Sequence, residues 1–291
     1  MKRIVGIFDS GAGGLSVWKE LVLINPYHRF IYISDTAYCP YGPKSVEEIT
    51  ARSIQITEYL IKNGADIIVI ACNTATAAAV DVLRKKFDIQ FVGMEPAVKP
   101  AAIKTKTGVI GVLATKGTLR GNLYLNTSQR FAKNIKVIET VGEGLVEIVE
   151  QGLQNTPQAE EIVRQYIEPM ISQGADTVVL GCTHYPFLSP VIERVANGRL
   201  NIINPAPAVA RRAEDLLHKM DKEGERTHRD EGEGNEIQNE KNSNVIATTG
   251  SSYKLLQNLA LEILNDIKEG GRLSDEELQP FYTQEFIKIK I

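Results

Sequence analysis

Residues 64–76 of the chain read GADIIVIACNTAT, and residues 174–184 read GADTVVLGCTH. Both stretches begin with Gly-Ala-Asp, continue through a short apolar run and reach a cysteine that is followed by polar residues. A continuous apolar run of this length is typical of a strand that is buried on both faces of a parallel sheet. The two stretches therefore predict two equivalent strands, with Cys72 and Cys182 just beyond their carboxyl ends.

These two stretches belong to a weak repeat of the whole chain. Residues 4–7 (IVGI) correspond to residues 109–112 (VIGV), and residues 96–98 (PAV) correspond to residues 207–209 (PAV). The offsets of 105 and 111 residues are close to the 110 residues that separate the two cysteines. Each match is short, but three matches in the same order with nearly equal offsets indicate two related halves.

Strands and helices alternate within each half. Apolar runs over residues 30–34 and 90–93 predict further buried strands. Between them, residues 45–63 carry apolar side chains at helical spacing, and Ser45 with Glu48 predicts a capping box at the start of this helix. Alternation of strands and helices at this spacing predicts doubly wound α/β domains with mainly parallel sheets.

The repeat predicts two pseudo-symmetric domains with the active site in the cleft between them. We expect residues 1–98 and 210–291 to form the first α/β domain, and residues 99–209 to form the second. Residues 245–250 (VIATTG) predict a strand, with a helix from Ser252 onward. We expect this last part of the chain to pack back onto the first half.

The segment at residues 221–244 differs from the rest of the chain because it is strongly polar. Its one clearly apolar residue is Ile237. A segment of this composition cannot bury enough apolar surface to offset the entropy of ordering it, so we expect a solvated, disordered loop. A docking function for this loop is the less favoured alternative.

The composition limits the classes of function. Hydrophobic residues make up 43% and charged residues 24% of the 291 residues, as in ordinary soluble globular proteins. The net charge of -3 gives no basic footprint for nucleic acid, and no apolar run approaches the length of a membrane-spanning helix. Residues 4–8 are too short for a signal peptide, and three cysteines without an export signal favour reduced thiols. We therefore expect a cytoplasmic protein with neither a nucleic-acid nor a membrane partner.

The two repeated cysteines are the main candidates for chemistry. Ligands of open α/β sheets bind beyond the carboxyl ends of the strands, where Cys72, Cys182 and the pair Asp9 and Ser10 are all predicted to lie. If the two halves face each other, the two thiols face one ligand from opposite sides. A two-base inversion of a stereocentre requires this geometry, because one group removes a proton and the other returns one to the opposite face.

Such a reaction needs one thiolate and one protonated thiol. A free cysteine has a pKa of about 8.5, so neighbouring groups must tune both sulfurs. His184 lies two residues after Cys182, and Asp9 is a candidate partner for Cys72. A cysteine at a strand end is more often a small core residue, and His184 alone could be structural; the repeat is what favours a catalytic pair. Cys39 has no counterpart in the repeat and is not expected to be catalytic.

Neutral hydrogen-bonding side chains follow the predicted strands. Because helix N-termini bind anions, such side chains suit a small substrate with carboxylates, although they could simply cap the helices. These residues are Ser10, Asn73, Thr74, Thr115, Thr118 and Thr183.

Four motifs together resemble the glutamate racemase family. They are DSGAGGL at residues 9–15, PYG at 40–42, ACNTAT at 71–76 and GCTHYP at 181–186. The resemblance runs from the first strand to Thr249-Gly250, apart from the polar loop. Each motif alone is weak, and the combination is specific.

The resemblance implies interconversion of L- and D-glutamate by a two-cysteine mechanism, with no cofactor and no metal. Cys72 would act on the D-enantiomer and Cys182 on the L-enantiomer, with help from Asp9 and His184 and, by a looser match, from Glu150. The resemblance also implies a cytoplasmic homodimer that supplies D-glutamate for peptidoglycan synthesis, and so for cell-wall biogenesis and cell shape. The substrate contacts that it implies are Ser10, Tyr41, Gly42, Asn73, Thr74, Thr115, Thr118, Thr183 and His184.

Three other interpretations of the site remain open at the level of sequence. A dinucleotide-binding oxidoreductase would explain the first strand, its Gly-rich turn and Asp35, but Ser16 stands at the third glycine position and Asp9 would repel a pyrophosphate. A non-catalytic protein that closes two lobes on an amino acid gives no reason for the paired cysteines. A zinc site of Cys72, Cys182 and His184 has poor spacing and no evident fourth ligand. Within the racemase interpretation, aspartate is the competing substrate, because aspartate racemases share the two-cysteine scheme.

Overall fold

The computed structural model describes residues 2–224 and 243–291. These residues form ten strands and twelve α-helices that alternate along most of the chain. The strands are β1 (Ile4–Asp9), β2 (Arg29–Ser34), β3 (Ile67–Ile70), β4 (Gln90–Gly93), β5 (Val109–Ala114), β6 (Lys136–Val141), β7 (Thr177–Gly181), β8 (Asn201–Ile203), β9 (Val245–Thr248) and β10 (Glu285–Lys288). The helices are α1 (Leu15–Ile24), α2 (Val46–Lys62), α3 (Asn73–Lys86), α4 (Val98–Lys104), α5 (Lys116–Arg120), α6 (Asn122–Phe131), α7 (Leu145–Glu150), α8 (Pro157–Ser172), α9 (Ser189–Ala196), α10 (Ala206–Glu223), α11 (Tyr253–Glu269) and α12 (Asp275–Tyr282).

The strands form two sheets in which every pair is parallel. One sheet has the order β10-β9-β2-β1-β3-β4, and the other has the order β6-β5-β7-β8. Strands β1 to β4 and β5 to β8 follow the same order in space, with β9 and β10 added at one edge of the first sheet. The predicted fold class, a mixed α/β protein with two parallel sheets, is confirmed.

The strand register repeats as the sequence does. Gly6 on β1 pairs with Ile68 on β3, and Gly111 on β5 pairs with Val178 on β7. These are the same two positions of the repeat. Both glycines lie under a helix at close range: a Cβ at Gly6 would lie 3.0 Å from the Ala65 Cβ, and one at Gly111 would overlap Met170. Glycine at this position lets the crossing helix approach the sheet, which explains why the match survives in both halves.

Apolar side chains fill the space on both faces of each sheet. On one face of the first sheet, Val5 and Ile7 pack with Trp18 and with Ala213 of α10; on the other, Phe8 packs with Ile56 of α2. The central strands carry side chains with almost no exposure on either face, as expected for a sheet that is covered by helices on both sides.

The connections between the sheets fall close to the predicted boundaries. Helix α4 packs with the second sheet through Val98 and Ala101, whereas α10 packs with the first sheet through Ala206 and Val209. Since α10 begins at Ala206, a boundary between residues 209 and 210 would cut its first turn. We propose the same division into two domains, with the second boundary at the start of α10.

The predicted polar loop is ordered at both of its ends. Helix α10 continues through Asp221, whose Oδ1 accepts a hydrogen bond from Arg3 Nη2 at 2.6 Å, and ends at Glu223. Asn244 is buried, and its Oδ1 accepts a hydrogen bond from the Phe30 N–H at 2.9 Å. The bounds predicted for the loop, residues 221–244, are therefore wrong at both ends, because tertiary contacts hold polar residues in place there. Residues 225–242 lie outside the described residues.

The end of the chain returns to the first sheet as predicted. β9 pairs in parallel with β2, and α11 begins at Tyr253, directly after Ser252.

The capping box predicted for α2 is only half formed. The Ser45 side chain accepts the Glu48 N–H, but the Glu48 carboxylate accepts a hydrogen bond from Lys44 Nζ at 2.8 Å instead of returning to Ser45.

Candidate active site

A cleft of about 640 Å³ lies at the carboxyl ends of β1, β3, β5 and β7, between the two sheets. Residues from both halves of the repeat line it, as the parallel orientation of the strands requires. Of the predicted site residues, ten lie on its wall, whereas Asp9 and Thr118 are buried behind it. The ten are Ser10, Tyr41, Gly42, Cys72, Asn73, Thr74, Thr115, Cys182, Thr183 and His184.

A larger cavity of about 1630 Å³ lies elsewhere, between β4, α4, α6 and α10. Neither a cysteine nor a histidine is among the described residues that line it. The cleft with the two thiols is smaller but carries nucleophilic and titratable groups in contact with one another, so we assign the chemistry to the cleft.

Cys72 is held as a protonated thiol. It is the N-cap residue of α3, and its Sγ accepts the Ala75 N–H at 3.4 Å while its S–H points to Ser10 Oγ at 3.7 Å. Burial raises the pKa of Cys72 strongly, and the negative charge of Asp9 raises it further, whereas the Ala75 N–H and Ser10 act in the opposite direction. In the absence of substrate the thiol form prevails.

Cys182 faces an ion pair instead. His184 Nδ1 lies 3.7 Å from Cys182 Sγ, and its Nε2 lies 2.6 Å from Glu150 Oε1. Burial opposes protonation of His184, but its hydrogen bonds with Cys182, Cys39 and Glu150 outweigh burial and raise its pKa well above the ordinary value. Burial also opposes ionisation of Glu150, yet the His184 hydrogen bond and charge lower the pKa of this carboxyl.

The protonation states of this ion pair follow from these shifts. The raised pKa of His184 and the lowered pKa of Glu150 favour an imidazolium and a carboxylate, in which Nε2 donates to Glu150 and Nδ1 donates to Cys182. The Gly13 N–H, 3.3 Å from Nε2, opposes this form. A buried positive charge beside Cys182 stabilises negative charge on that sulfur. A nucleophile or base that is hydrogen-bonded to a histidine, which a carboxylate in turn orients, is a recurrent arrangement in catalysis.

The Gly-rich loop after β1 packs directly on this ion pair. The Ala12 N–H donates to Glu150 Oε1 at 2.6 Å. A Cβ at Gly13 would overlap the His184 ring, and one at Gly11 would overlap the Glu150 carboxylate. The glycines of the DSGAGGL motif are therefore required by the close approach of groups from the other half of the chain, which a pattern of glycines alone does not reveal.

Asp9 organises this loop rather than lining the cleft. It is completely buried, and its Oδ2 accepts the N–H groups of Gly11 and Gly14 at 3.0 and 3.1 Å. Its Oδ1 accepts the Thr183 hydroxyl at 3.1 Å, so the carboxyl also links the two halves. Burial raises the pKa of Asp9, and the charge of His184 opposes this shift. The expected pairing of Asp9 with Cys72 is thus an effect of charge, through the raised thiol pKa.

Hydroxyl and amide side chains bridge the opposite wall of the cleft. Thr74 Oγ1 lies 2.9 Å from Thr115 Oγ1, which lies 3.0 Å from Thr118 Oγ1. Thr74 and Asn73 occupy the first turn of α3, and Thr115 is the N-cap residue of α5. The capping interpretation holds for Thr115, which accepts the Thr118 N–H, but not for Asn73 and Thr74, because Cys72 caps α3. Substrate binding by these side chains stays a prediction.

Tyr41 is fixed by a buried network. Its hydroxyl donates to Asp35 Oδ2 at 2.6 Å, and Arg52 Nη2 binds Asp35 Oδ1 at 2.8 Å. Burial and the Asp35 charge raise the pKa of Tyr41 far above its ordinary value, so it stays neutral. Asp35 ends the second strand as predicted, but it holds the Pro-Tyr-Gly segment instead of a ribose.

Sequence reasoning missed some residues of the cleft. Lys44, Lys116 and Arg120 also line it, and so do Glu143 and Glu147, so its charged side chains are of both signs. Cys39 lies beside His184 and Glu150, although the repeat gives no reason to place it there. Its only sequence signal is its position next to the Pro-Tyr-Gly motif.

The fold and the cleft define a two-sheet α/β enzyme of the racemase type. The family model described as Asp/Glu/Hydantoin racemase matches residues 22–213, and the chain belongs to this family. The chain is therefore an isomerase, and the dinucleotide-binding and binding-protein interpretations are not supported.

Relatives and solved structures agree with this assignment. Over 214 residues the chain is 46% identical to a glutamate racemase from Ectopseudomonas mendocina (strain ymp), which covers 73% of this chain and 81% of that protein. A crystal structure of a glutamate racemase isoform from Bacillus anthracis matches with a TM-score of 0.75 at 31% identity, covering 90% of this chain and 94% of that one. The Escherichia coli glutamate racemase, crystallised with L-glutamate and the activator UDP-MurNAc-ala, matches with a TM-score of 0.77 at 28% identity, covering 99% and 98%. The resemblance stated from the motifs is confirmed.

Across residues 2–224 and 243–291, none of the helices combines the length and apolar character that a bilayer crossing demands.

Proposed function

We propose that the protein interconverts L- and D-glutamate by a two-base mechanism in which Cys72 and Cys182 are the bases, without a cofactor. The observation that carries this proposal is the opposite environment of two thiols at equivalent strand ends of one cleft. Cys182 lies next to the His184 imidazolium, whereas burial and Asp9 keep Cys72 protonated. The two sulfurs therefore face opposite charges before the substrate binds.

With L-glutamate, the Cys182 thiolate removes the Cα proton, and the Cys72 thiol donates its proton to the opposite face of the carbanion. The products are D-glutamate, a Cys182 thiol and a Cys72 thiolate, so protons and charge balance. The Ala75 N–H and the N-terminal end of α3 stabilise the negative charge that develops on Cys72. The reverse reaction, or proton exchange with water after product release, restores the resting state.

Binding of the two carboxylates of the substrate is assigned to neutral donors. The first turn of α3 presents Asn73 and Thr74, and Thr115 and Thr183 present hydroxyls from the other half. Backbone N–H groups at a helix N-terminus favour anions without the desolvation cost of a buried guanidinium. Lys116 and Arg120 on the same wall add favourable long-range attraction.

Glutamate is preferred over aspartate because the similar proteins with the higher identities are glutamate racemases. On the same basis we propose a cytoplasmic homodimer that supplies D-glutamate for peptidoglycan synthesis. The cleft of about 640 Å³ is large enough for either amino acid, so its size does not discriminate between them.

The test uses metal-stripped protein and L-glutamate in D2O with no added cofactor. Circular dichroism follows the loss of optical activity, and NMR follows deuterium at Cα. Racemisation with incorporation of deuterium is the expected result. Racemisation of aspartate but not glutamate would correct the substrate and keep the mechanism, whereas loss of optical activity without deuterium at Cα would contradict proton abstraction.

A further inference from the structure

A third thiol lies beside the ion pair of the cleft. Cys39 Sγ, a ring nitrogen of His184 and a carboxylate oxygen of Glu150 all lie within 4.8 Å of one another. At this range the Cys39 thiol contributes to the raised pKa of His184 and to the lowered pKa of Glu150. In the described part of the chain, no other set of three His, Cys, Asp or Glu side chains brings its ligand atoms this close together.

The two-base mechanism gives Cys39 no task. Its thiol is not one of the two sulfurs that exchange protons with Cα, and it has no counterpart in the repeat. Burial raises the pKa of Cys39 to about 11, and the hydrogen bond with His184 only partly opposes this effect. At neutral pH Cys39 is therefore a protonated thiol that neither attacks nor abstracts.

The three groups do match the ligands of one class of ion. A thiolate, an imidazole and a carboxylate are the donors that bind Zn²⁺ and similar thiophilic divalent cations. Zinc–ligand bonds of about 2.0 to 2.3 Å in a tetrahedron place neighbouring donor atoms roughly 3.3 to 3.8 Å apart. For a cation to bind, the 2.6 Å contact between His184 and Glu150 must therefore open and Cys39 must approach.

Surrounding contacts already orient two of these ligands. The Ala12 N–H holds the Glu150 carboxylate, and the Gly-rich loop lies directly against the His184 ring. Partners of this kind fix the direction of metal ligands and increase affinity.

We propose that Cys39, His184 and Glu150 form a binding site for a zinc-class divalent cation, and that its occupancy reversibly inhibits the enzyme. The cation replaces the proton on the Cys39 sulfur and a proton of the His184 imidazolium, so binding releases two protons. Opening the contact between His184 and Glu150 to admit the cation shifts the imidazole relative to Cys182 Sγ, which disturbs the proposed base. Racemisation itself needs no metal; the inhibition rests on the proposed function, whereas the binding does not.

The test of binding is a titration of the full-length, metal-stripped protein with Cd²⁺ in the absence of substrate. Calorimetry gives the affinity, and the ultraviolet charge-transfer band of a cadmium–thiolate bond reports sulfur ligation. Cys39→Ser should weaken binding at least about tenfold and diminish the band, since loss of a ligand costs no less than loss of a supporting contact. Cys72→Ser is the matched control, because it removes a cleft thiol outside the site, and it should bind like the unmodified protein.

Equal Cd²⁺ affinity in the unmodified protein and Cys39→Ser would overturn the proposal, as would loss of binding in Cys72→Ser alone. If Cys39→Ser does not fold, as judged by far-ultraviolet circular dichroism, Cys39→Ala and Glu150→Gln provide the same comparison. Because these readouts do not require turnover, they remain decisive even if glutamate is not the substrate.

Inhibition is measured separately, as the Zn²⁺ concentration that halves each variant's own metal-free rate. Cys39→Ser should require roughly tenfold more Zn²⁺ than the unmodified protein, and a chelator should restore the rate of both. Equal sensitivity of the two proteins would refute inhibition through this site.

Discussion

At the scale of single residues, the two thiols of the cleft differ in the charge that faces each sulfur. Cys72 faces the hydroxyl of Ser10 and the negative field of Asp9, whereas Cys182 faces the His184 imidazolium. The difference arises from side chains of both halves, because Asp9 belongs to the first half of the chain and Glu150, which supports His184, to the second. Two nearly symmetric strand ends thus place their sulfurs beside opposite charges, which is the basis of the proposed acid and base.

Replacing either thiol by a hydroxyl should abolish racemisation. Cys72→Ser and Cys182→Ser should each lower turnover at least about 100-fold in both directions, because a serine hydroxyl is too weak an acid to exchange protons near neutral pH. Polarimetry with each enantiomer measures the effect. Cys39→Ser makes the same chemical change at a thiol outside the proposed pair, and its turnover should fall less than about tenfold. Near-normal turnover in Cys72→Ser or Cys182→Ser would exclude the two-thiol mechanism.

Glu150→Gln should move the alkaline limb of the pH profile to lower pH. His184 must be protonated to stabilise the Cys182 thiolate, so activity falls as the pH rises through the His184 pKa. Burial lowers the pKa of His184, and the hydrogen bond with Glu150 helps to raise it. Replacing the Glu150 carboxylate by a neutral amide should therefore lower the pKa of His184. Turnover at neutral pH should fall roughly tenfold or more. The measurement is kcat/KM against pH; an unshifted or alkaline-shifted limb would mean that Glu150 does not support the imidazolium.

At the scale of elements, loops between strands and helices carry most of the site. The Gly-rich loop after β1 is held from within by Asp9 and from the other half by His184 and Glu150. The segment before α2 is held by Tyr41 and Asp35, and Arg52 of α2 anchors this pair. These loops are positioned by buried charge and hydrogen bonds rather than by apolar packing.

We expect that the polar segment between α10 and β9 can be shortened as long as the ordered residues at its two ends are kept. Replacing residues 225–242 by a flexible linker should leave turnover within about twofold and stability nearly unchanged, because the entropy of closing a loop depends only weakly on its length. Removing residues 221–244 should cost roughly 1 to 3 kcal/mol, because Asp221 binds Arg3 and Asn244 satisfies the buried Phe30 N–H. Urea denaturation and turnover of both deletions test this; equal stability of the two would show that the end contacts contribute nothing.

At the scale of the whole molecule, the proposed substrate contacts come from both halves of the chain. Thr74 and Thr115 meet across the cleft, and Thr183 binds Asp9 of the other half. A ligand that binds these groups must therefore stabilise the two halves together, and the cleft depends on their relative position.

Glutamate should raise the midpoint of thermal unfolding. At a concentration of about 100 times its Kd, a ligand that binds only the folded state adds about 2.7 kcal/mol to the free energy of unfolding. Because the ligand contacts both halves, we expect a single unfolding transition at a higher temperature. Thr115→Val should reduce the shift, because it removes a hydroxyl that spans the cleft. Differential scanning calorimetry with L-glutamate, and with L-lysine as a cationic control, measures the effect; an equal shift with both amino acids would contradict recognition of two carboxylates.

Sequence alone determined the class of fold and the two central sulfurs. The apolar runs, the glycine stops and the collinear matches depend on local burial and on the repeat, so they predict parallel strands and place Cys72 and Cys182 at equivalent strand ends. The width of the polar segment could not be predicted, because the contacts of Asp221 with Arg3 and of Asn244 with Phe30 join residues far apart in the chain.

Only the tertiary structure decided how the two thiols differ and what surrounds them. The pKa of a thiol depends on charges within a few ångströms, and contacts between distant residues put those charges in place. Glu150 contacts His184 from 34 positions away and is itself held by Ala12, 138 positions away. The same reason applies to Cys39, which no repeat or spacing places beside His184. The periodicity of apolar residues indicates which faces of strands and helices are buried. The chemistry of a cleft depends instead on which distant residues the folded chain brings into contact.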